Sequence, residues 1–169
     1  MSDNRSQDIK LIKLAINVEK EAAAFFEKFI QKAGESALTP FLQTIQDSLA
    51  EDISSFESLL QPLLAESGAG GNIEGLSLDE YVKEVHGPRG GKFFTTSRAN
   101  ELLEGLYNPI QTLGAAAQIF RDISKFYLDS SADIFYEKEK AAFLQSAERK
   151  KEQAESVARK KREIISRFP

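Results

Sequence analysis

Leu11, Leu14, Ala15, Val18, Ala22, Phe25 and Phe29 recur at intervals of three and four residues, the spacing of one helix face. Ile12, Ile16, Ala23, Phe26 and Ile30 make a second stripe beside it. Together the stripes are too wide for a surface helix, so a helix deep in a bundle is expected. Its start is placed near Ser6–Asp8 and its stop at Gly34, a favoured residue just past a helix end. Glu19 falls inside the apolar face. A carboxylate there needs a cation, a hydrogen-bonding partner or a proton.

Thr39-Pro40 reads as a cap followed by proline at the first helical position. Leu42, Ile45, Leu49, Ile53, Phe56, Leu60 and Leu63 form the second seam, and Pro62 is expected to end or kink that helix. The short gap between the two helices makes them antiparallel neighbours. Residues 67–76, SGAGGNIEGL, break the composition. Ser77 and Glu80 make a capping box for a short helix through about Val85, and HGPRGGKFF, residues 86–94, is loop again. A connection of about thirty residues is too long for a hairpin and suits a crossover between opposite ends of a bundle.

A helix resumes near Ser97, and Asn108-Pro109 reads as a break with a fresh cap. Ile110, Leu113, Ala117, Phe120, Ser124 and Tyr127 form the third seam. The fourth long helix is expected from around Ser131–Asp133, with Ile134, Phe135, Ala142, Phe143 and Ala147 early. Ala154, Val157, Ala158, Ile164, Ile165 and Phe168 follow among charges. At about thirty-five residues it spans roughly 50 Å. The second helix, cut at Pro62, is about two-thirds of that, so the fourth is expected to overhang it. Covering Val157, Ile164, Ile165 and Phe168 on that overhang predicts a homodimer, the alternative being a monomer that folds the crossover Leu76–Phe94 against them through Leu78, Tyr81, Val82 and Val85. The halves also echo each other. AINVEKEAAAFFEKF at 15–29 aligns with AAQIFRDISKFYLDS at 116–130, and FLQT at 41–44 with FLQS at 143–146. The pattern gives an all-α single domain: hairpin 6–66, crossover 67–96 and hairpin 97–169.

Composition narrows the function classes. The chain has 169 residues, 41% hydrophobic and 28% charged, ordinary for one globular domain. A net charge of −4 argues against general nucleic-acid binding. With no cysteine, disulfides, iron–sulfur clusters and thiolate zinc sites are excluded. MSDNRSQDIK lacks the apolar core of a signal peptide, and no apolar run reaches membrane-spanning length, so a cytoplasmic protein that is not transmembrane is expected.

The stretch LIKLAINVEKEAAAFF, residues 11–26, resembles the first helix of the rubrerythrin branch of the ferritin-like superfamily, which commonly reads LKLAIxxEKEAxxFY. Thr112–Tyr127 keeps the shape of that family's third helix, ending in Lys125-Phe126-Tyr127. The resemblance covers both hairpins. It implies a ferritin-like four-helix bundle and di-iron chemistry on peroxide or oxygen. Iron in that family is held by a glutamate from the first and third helices and a Glu-x-x-His from the second and fourth. Glu19 fits the first glutamate. The matching place in the third helix is Phe120. The second helix offers Ser48-x-x-Glu51, Leu49-x-x-Asp52 or Ile53-x-x-Phe56, and the fourth Lys150-x-x-Gln153. The single histidine, His86, falls in the crossover, so no helix supplies an imidazole.

Di-iron centres of that geometry need imidazoles and several carboxylates. The expectation is therefore a degenerate site, with ligand positions lost at Phe120, Lys150 and Gln153. That leaves no catalytic residue and no cofactor, in a chain that acts as a binding or assembly module. The alternative is a rubrerythrin-like oxidoreductase or metal-storage protein. It would hold iron or another divalent ion weakly through Glu19 with Glu51 or Asp52. Against metal binding stands a Glu19 satisfied by a lysine or arginine from a facing helix.

Two further features carry charge. His86, Arg89 and Lys92 among Gly87, Gly90 and Gly91 form a candidate anion site, or a solvated loop. Residues 148–169 carry eight basic and four acidic side chains. They suit an acidic protein, an anionic surface or a neighbouring subunit, or else a solvated helix laced by Glu155–Arg159 and Glu163–Arg167.

Overall fold

A computed structural model of the chain describes residues 2–67, 96–105 and 107–167, which form helices and no strand. The helices are α1 (Ser2–Ala33), α2 (Thr39–Ser67), α3 (Thr96–Glu104), α4 (Pro109–Ser131) and α5 (Glu137–Ser166). The all-α class expected from the seams is therefore observed, in a bundle-like arrangement of four long helices and one short one. The crossover between Ser67 and Thr96, with its predicted helix at Ser77–Val85, lies outside the described residues.

Both stripes of α1 point inward. Ile12, Ala15, Ile16, Val18, Ala22, Phe25, Phe26 and Phe29 are fully buried. The helix starts earlier than Ser6–Asp8, which brings Asp8 inside it, and ends as read. Gly34 takes φ 58°, left-handed backbone that glycine adopts without penalty, and its N–H donates to the Ile30 carbonyl at 3.0 Å. The Thr39 hydroxyl donates back to the Gly34 carbonyl and fixes the turn into α2. Asn108 caps α4 as expected: its Oδ1 accepts the Ile110 and Gln111 amides at 2.9 and 3.2 Å, with Pro109 in the first turn.

Three expectations are corrected. Pro62 does not end α2, which runs on to Ser67. Pro62 and Ser58 are both exposed, so the carbonyl that proline leaves without a donor faces solvent rather than the core. With 29 residues in α2 and 30 in α5, the overhang used to argue for a dimer is absent. Val157 is fully buried, Ile164 packs on the core and Ile165 is exposed, while Phe168 lies outside the described residues. Finally, α5 begins at Glu137 rather than at Ser131–Asp133. The fully buried Asp8 carboxylate accepts the Phe135 and Tyr136 amides at 2.9 and 3.0 Å, so α1 holds the entry to α5, whose own N-cap residue Tyr136 makes no side-chain capping bond.

The closest pairs are α1 with α2 and α4 with α5. Arg5 meets Glu66 at 3.1 Å at one end of the bundle, and Asp8 meets Tyr136 nearby. Towards the other end, the Tyr107 ring sits edge-on to Phe29. Thus α1 and α5 run one way and α2 and α4 the other, and α2 ends at the opposite end of the bundle from the start of α4. The sequence echo has a structural counterpart. Glu19 meets Tyr127 and Phe26 stacks on Phe120, and shifting by the repeat offset exchanges one contact for the other. Among the described residues, no helix is long and apolar enough to cross a membrane.

The Phe26–Phe120 pair, stacked at 5.4 Å between centroids, is the apolar half of that exchange. Phe26→Ala and Phe120→Ala should each cost about 3–5 kcal/mol in urea unfolding. The double variant should fall short of the sum by about 0.5–1.5 kcal/mol, the coupling of an aromatic pair. Strict additivity would contradict the stacking.

Candidate functional site

Each of the four long helices puts a polar side chain into the middle of the bundle: Glu19 from α1, Asp52 from α2, Tyr127 from α4 and Lys150 from α5. Glu19, Tyr127 and Lys150 are fully buried, and Asp52 nearly so. Lys150 Nζ has three acceptors around it, matching the three protons of an ammonium. They are Asp52 Oδ2 at 2.7 Å, Gln153 Oε1 at 2.8 Å and Glu19 Oε2 at 2.8 Å. The contact to Glu19 is an ion pair; no hydrogen bond is aligned on that oxygen. The other oxygen, Glu19 Oε1, accepts the Tyr127 hydroxyl at 2.5 Å.

A second layer holds the first. Gln153 Nε2 donates to Ser48 Oγ at 2.8 Å, and Arg149 reaches Asp52 Oδ1 at 2.6 Å. The formal charges balance, with Glu19 and Asp52 against Lys150 and Arg149. The inner wall is aromatic: Lys150 Nζ stands 5.7 Å from the Phe120 centroid, and the Tyr127 ring stacks on Phe56 at 5.6 Å. The outer side is wetter. Grooves of about 270 and 620 Å³ run along the α2–α5 seam, the smaller lined by Asp52 and Arg149 and the larger by Ser48 and Gln153.

This environment sets the ionisation. Burial pushes the Glu19 carboxyl above its ordinary range, opposed by the Lys150 ammonium and reinforced by the Asp52 charge. Burial and the Glu19 carboxylate push the Tyr127 hydroxyl well above 10, so it acts as a neutral donor.

Of the residues singled out from sequence, Glu19, Asp52, Lys150, Gln153 and Phe120 come together here. Glu51 does not: it is exposed, and its backbone carbonyl accepts the Ser55 hydroxyl. His86, Arg89 and Lys92 lie outside the described residues. Sequence reading missed Tyr127 as the partner of Glu19, Arg149 as a partner of Asp52 and Asp8 as the acceptor at the entry to α5, and it placed Ser48 only in a candidate ligand register. For Tyr127 a signal existed, since it ends the third seam.

The residues present do not fit a di-iron centre. A lysine ammonium fills the space between the two buried carboxylates. Among the described residues no three histidine, cysteine, aspartate or glutamate side chains converge on a common point. Comparison with protein-family models, characterised proteins and solved structures finds no match.

Glu19 gives the centre a pH signature. Because its folded-state pKa is raised, the folded chain holds more protons than the unfolded chain above about pH 4.5. Its contribution to stability is full below that pH and is lost as pH rises through the folded pKa. The stability of the wild type minus that of Glu19→Gln, from denaturant unfolding across pH, should therefore fall with rising pH. A difference that rises instead would show that Lys150 outweighs burial.

Proposed function

We propose that this chain is a non-catalytic, ferritin-like four-helix bundle that works as a binding or assembly module, the family's di-iron site being lost. One observation carries the reading: the Lys150 ammonium lies between Glu19 and Asp52, at 2.8 and 2.7 Å, where the resemblance expects metal. Support for the ferritin-like arrangement comes from the helix directions and from the exchange of paired contacts between the halves. Phe120, at the other lost ligand position, is packed against Phe26 and offers no donor atom. With the two central carboxylates neutralised by the chain's own cations, a metal ion entering there would first have to displace a salt-bridged lysine.

Elemental analysis of protein purified without chelator tests this. Iron and manganese should be far below one atom per chain, with no turnover of added peroxide. Near-stoichiometric metal together with peroxide turnover would overturn the reading in favour of a metal-dependent oxidoreductase.

Assembly is the second part of the proposal. Leu128, Phe135 and Leu144 on the α4–α5 hairpin and Ile165 near the end of α5 are exposed at 50, 59, 42 and 45%. A self-association interface would cover such side chains. The exposed Lys151, Arg159 and Arg162 of α5 leave an acidic protein or anionic surface as a further partner. Light scattering at micromolar concentration should give about twice the 18.8 kDa chain mass, and the mass of a single chain would remove the homodimer.

A further inference from the structure

Leu144 stands 42% exposed on the outer side of α5, and Leu128 of α4 is 50% exposed. The two are level with each other. The Ser124 hydroxyl donates to the Ala147 carbonyl at 2.8 Å, and α4 and α5 run in opposite directions. One turn on from Ser124 and one turn back from Ala147 therefore bring Leu128 beside Phe143 and Leu144.

The charges flanking Leu144 are ordered. Glu137, Lys140, Glu148 and Lys151 all lie within about 40° of Leu144 around the axis of α5, one stripe of the helix. Seven residues before Leu144 stands an acid and seven after it a base. Four before it stands a base and four after it an acid. Each charge thus has its opposite at the mirrored position. Glu137, Glu148 and Lys151 are exposed and Lys140 is half-buried. Among the described residues none of the four has an ion-pair partner.

A stripe of this kind is complementary to itself when reversed. Laid antiparallel on a second copy, with Leu144 on a two-fold axis, each residue meets the one equally far on the other side of the partner's Leu144. Lys151 then faces the partner's Glu137, and Glu148 faces the partner's Lys140. The two Leu144 side chains meet at the centre, with Leu128 of each copy beside them. Laid parallel and in register, the same stripe would set like charges together. Glu155, further along, falls beyond the partner's α5, which begins at Glu137. The four charges sum to zero, so two chains of net charge −4 meet here without net repulsion.

We infer that the chain dimerises through this stripe, α5 packed antiparallel on α5 of a second copy about a two-fold axis at Leu144. This rests on the assembly part of the proposed function and gives that assembly its interface.

The test is sedimentation equilibrium on the full chain. Lys151→Glu sets an acid against the partner's Glu137 at two symmetric places and should weaken the dimer about tenfold, as should Glu137→Lys. The double variant Glu137→Lys/Lys151→Glu restores opposite charges and should recover most of the affinity. Because the chain has no cysteine, Leu144→Cys gives a second readout. Mild oxidation should link its copies by a disulfide, whereas Glu51→Cys, exposed on α2, should stay unlinked. A wild type that remains a single chain overturns the assembly reading and this interface together. A dimer untouched by the single reversals, a double variant that recovers nothing, or Glu51→Cys linking as readily as Leu144→Cys would each overturn the interface alone.

Discussion

One ammonium group governs the centre of this bundle. Without Lys150, the Glu19 and Asp52 carboxylates would share a water-poor space with no interior cation, and at least one would have to take a proton. With it, helices α1, α2 and α5 are tied through a single atom, and Tyr127 adds α4 through Glu19. Taking these ions out of water costs several kcal/mol each, so the network is a weak source of net stability. Its effect on register is stronger. Sliding α5 by one turn would set Ser146 or Ala154 at the level of Lys150 and leave both carboxylates without a buried cation. Removing one partner of such a set is worse than never having built it, because the survivor stays buried and charged.

The aromatic wall makes the cluster strong and demanding at once. Phe120, Phe56 and Phe143 keep water from the inner side, lowering the local dielectric and strengthening each contact to Lys150. The same exclusion raises the Glu19 pKa. The two halves of the chain have diverged around this point. The repeat maps Glu19 onto Phe120 and Phe26 onto Tyr127, so one inter-helix contact is a carboxylate with a phenol and its counterpart is two stacked phenyl rings.

The seams were legible in sequence because periodicity reports which residues share a face. Leu11, Leu14, Ala15, Val18, Ala22, Phe25 and Phe29 are all buried, and a charged residue among them announces itself. Periodicity says nothing about axial register between helices. The partners of the cluster are 108 residues apart for Glu19 and Tyr127 and 98 for Asp52 and Lys150, and only the assembled bundle sets them side by side. The start of α5 was misread for a related reason. Ser131 and Asp133 have the chemistry of a cap, but the working carboxylate is Asp8, supplied from α1. Pro62 misled in part: local chemistry forecasts an end or a kink, and at this exposed position the helix does not end but continues to Ser67. The overhang argument for a dimer fell with that break.

Covalent attachment changes the thermodynamics of a central cation. A bound ion stabilises only the folded state and only in proportion to its free concentration, so a bundle closed by such an ion loosens when the ion is scarce. Lys150 is present at the same effective concentration in every molecule, and its entropy cost is confined to a few side-chain rotors. The price is chemical. An ammonium hydrogen-bonded to Asp52 and Gln153 and ion-paired with Glu19 has no ligand position and no redox state to offer. The same residue that closes the interior therefore leaves binding chemistry to the surface of the bundle.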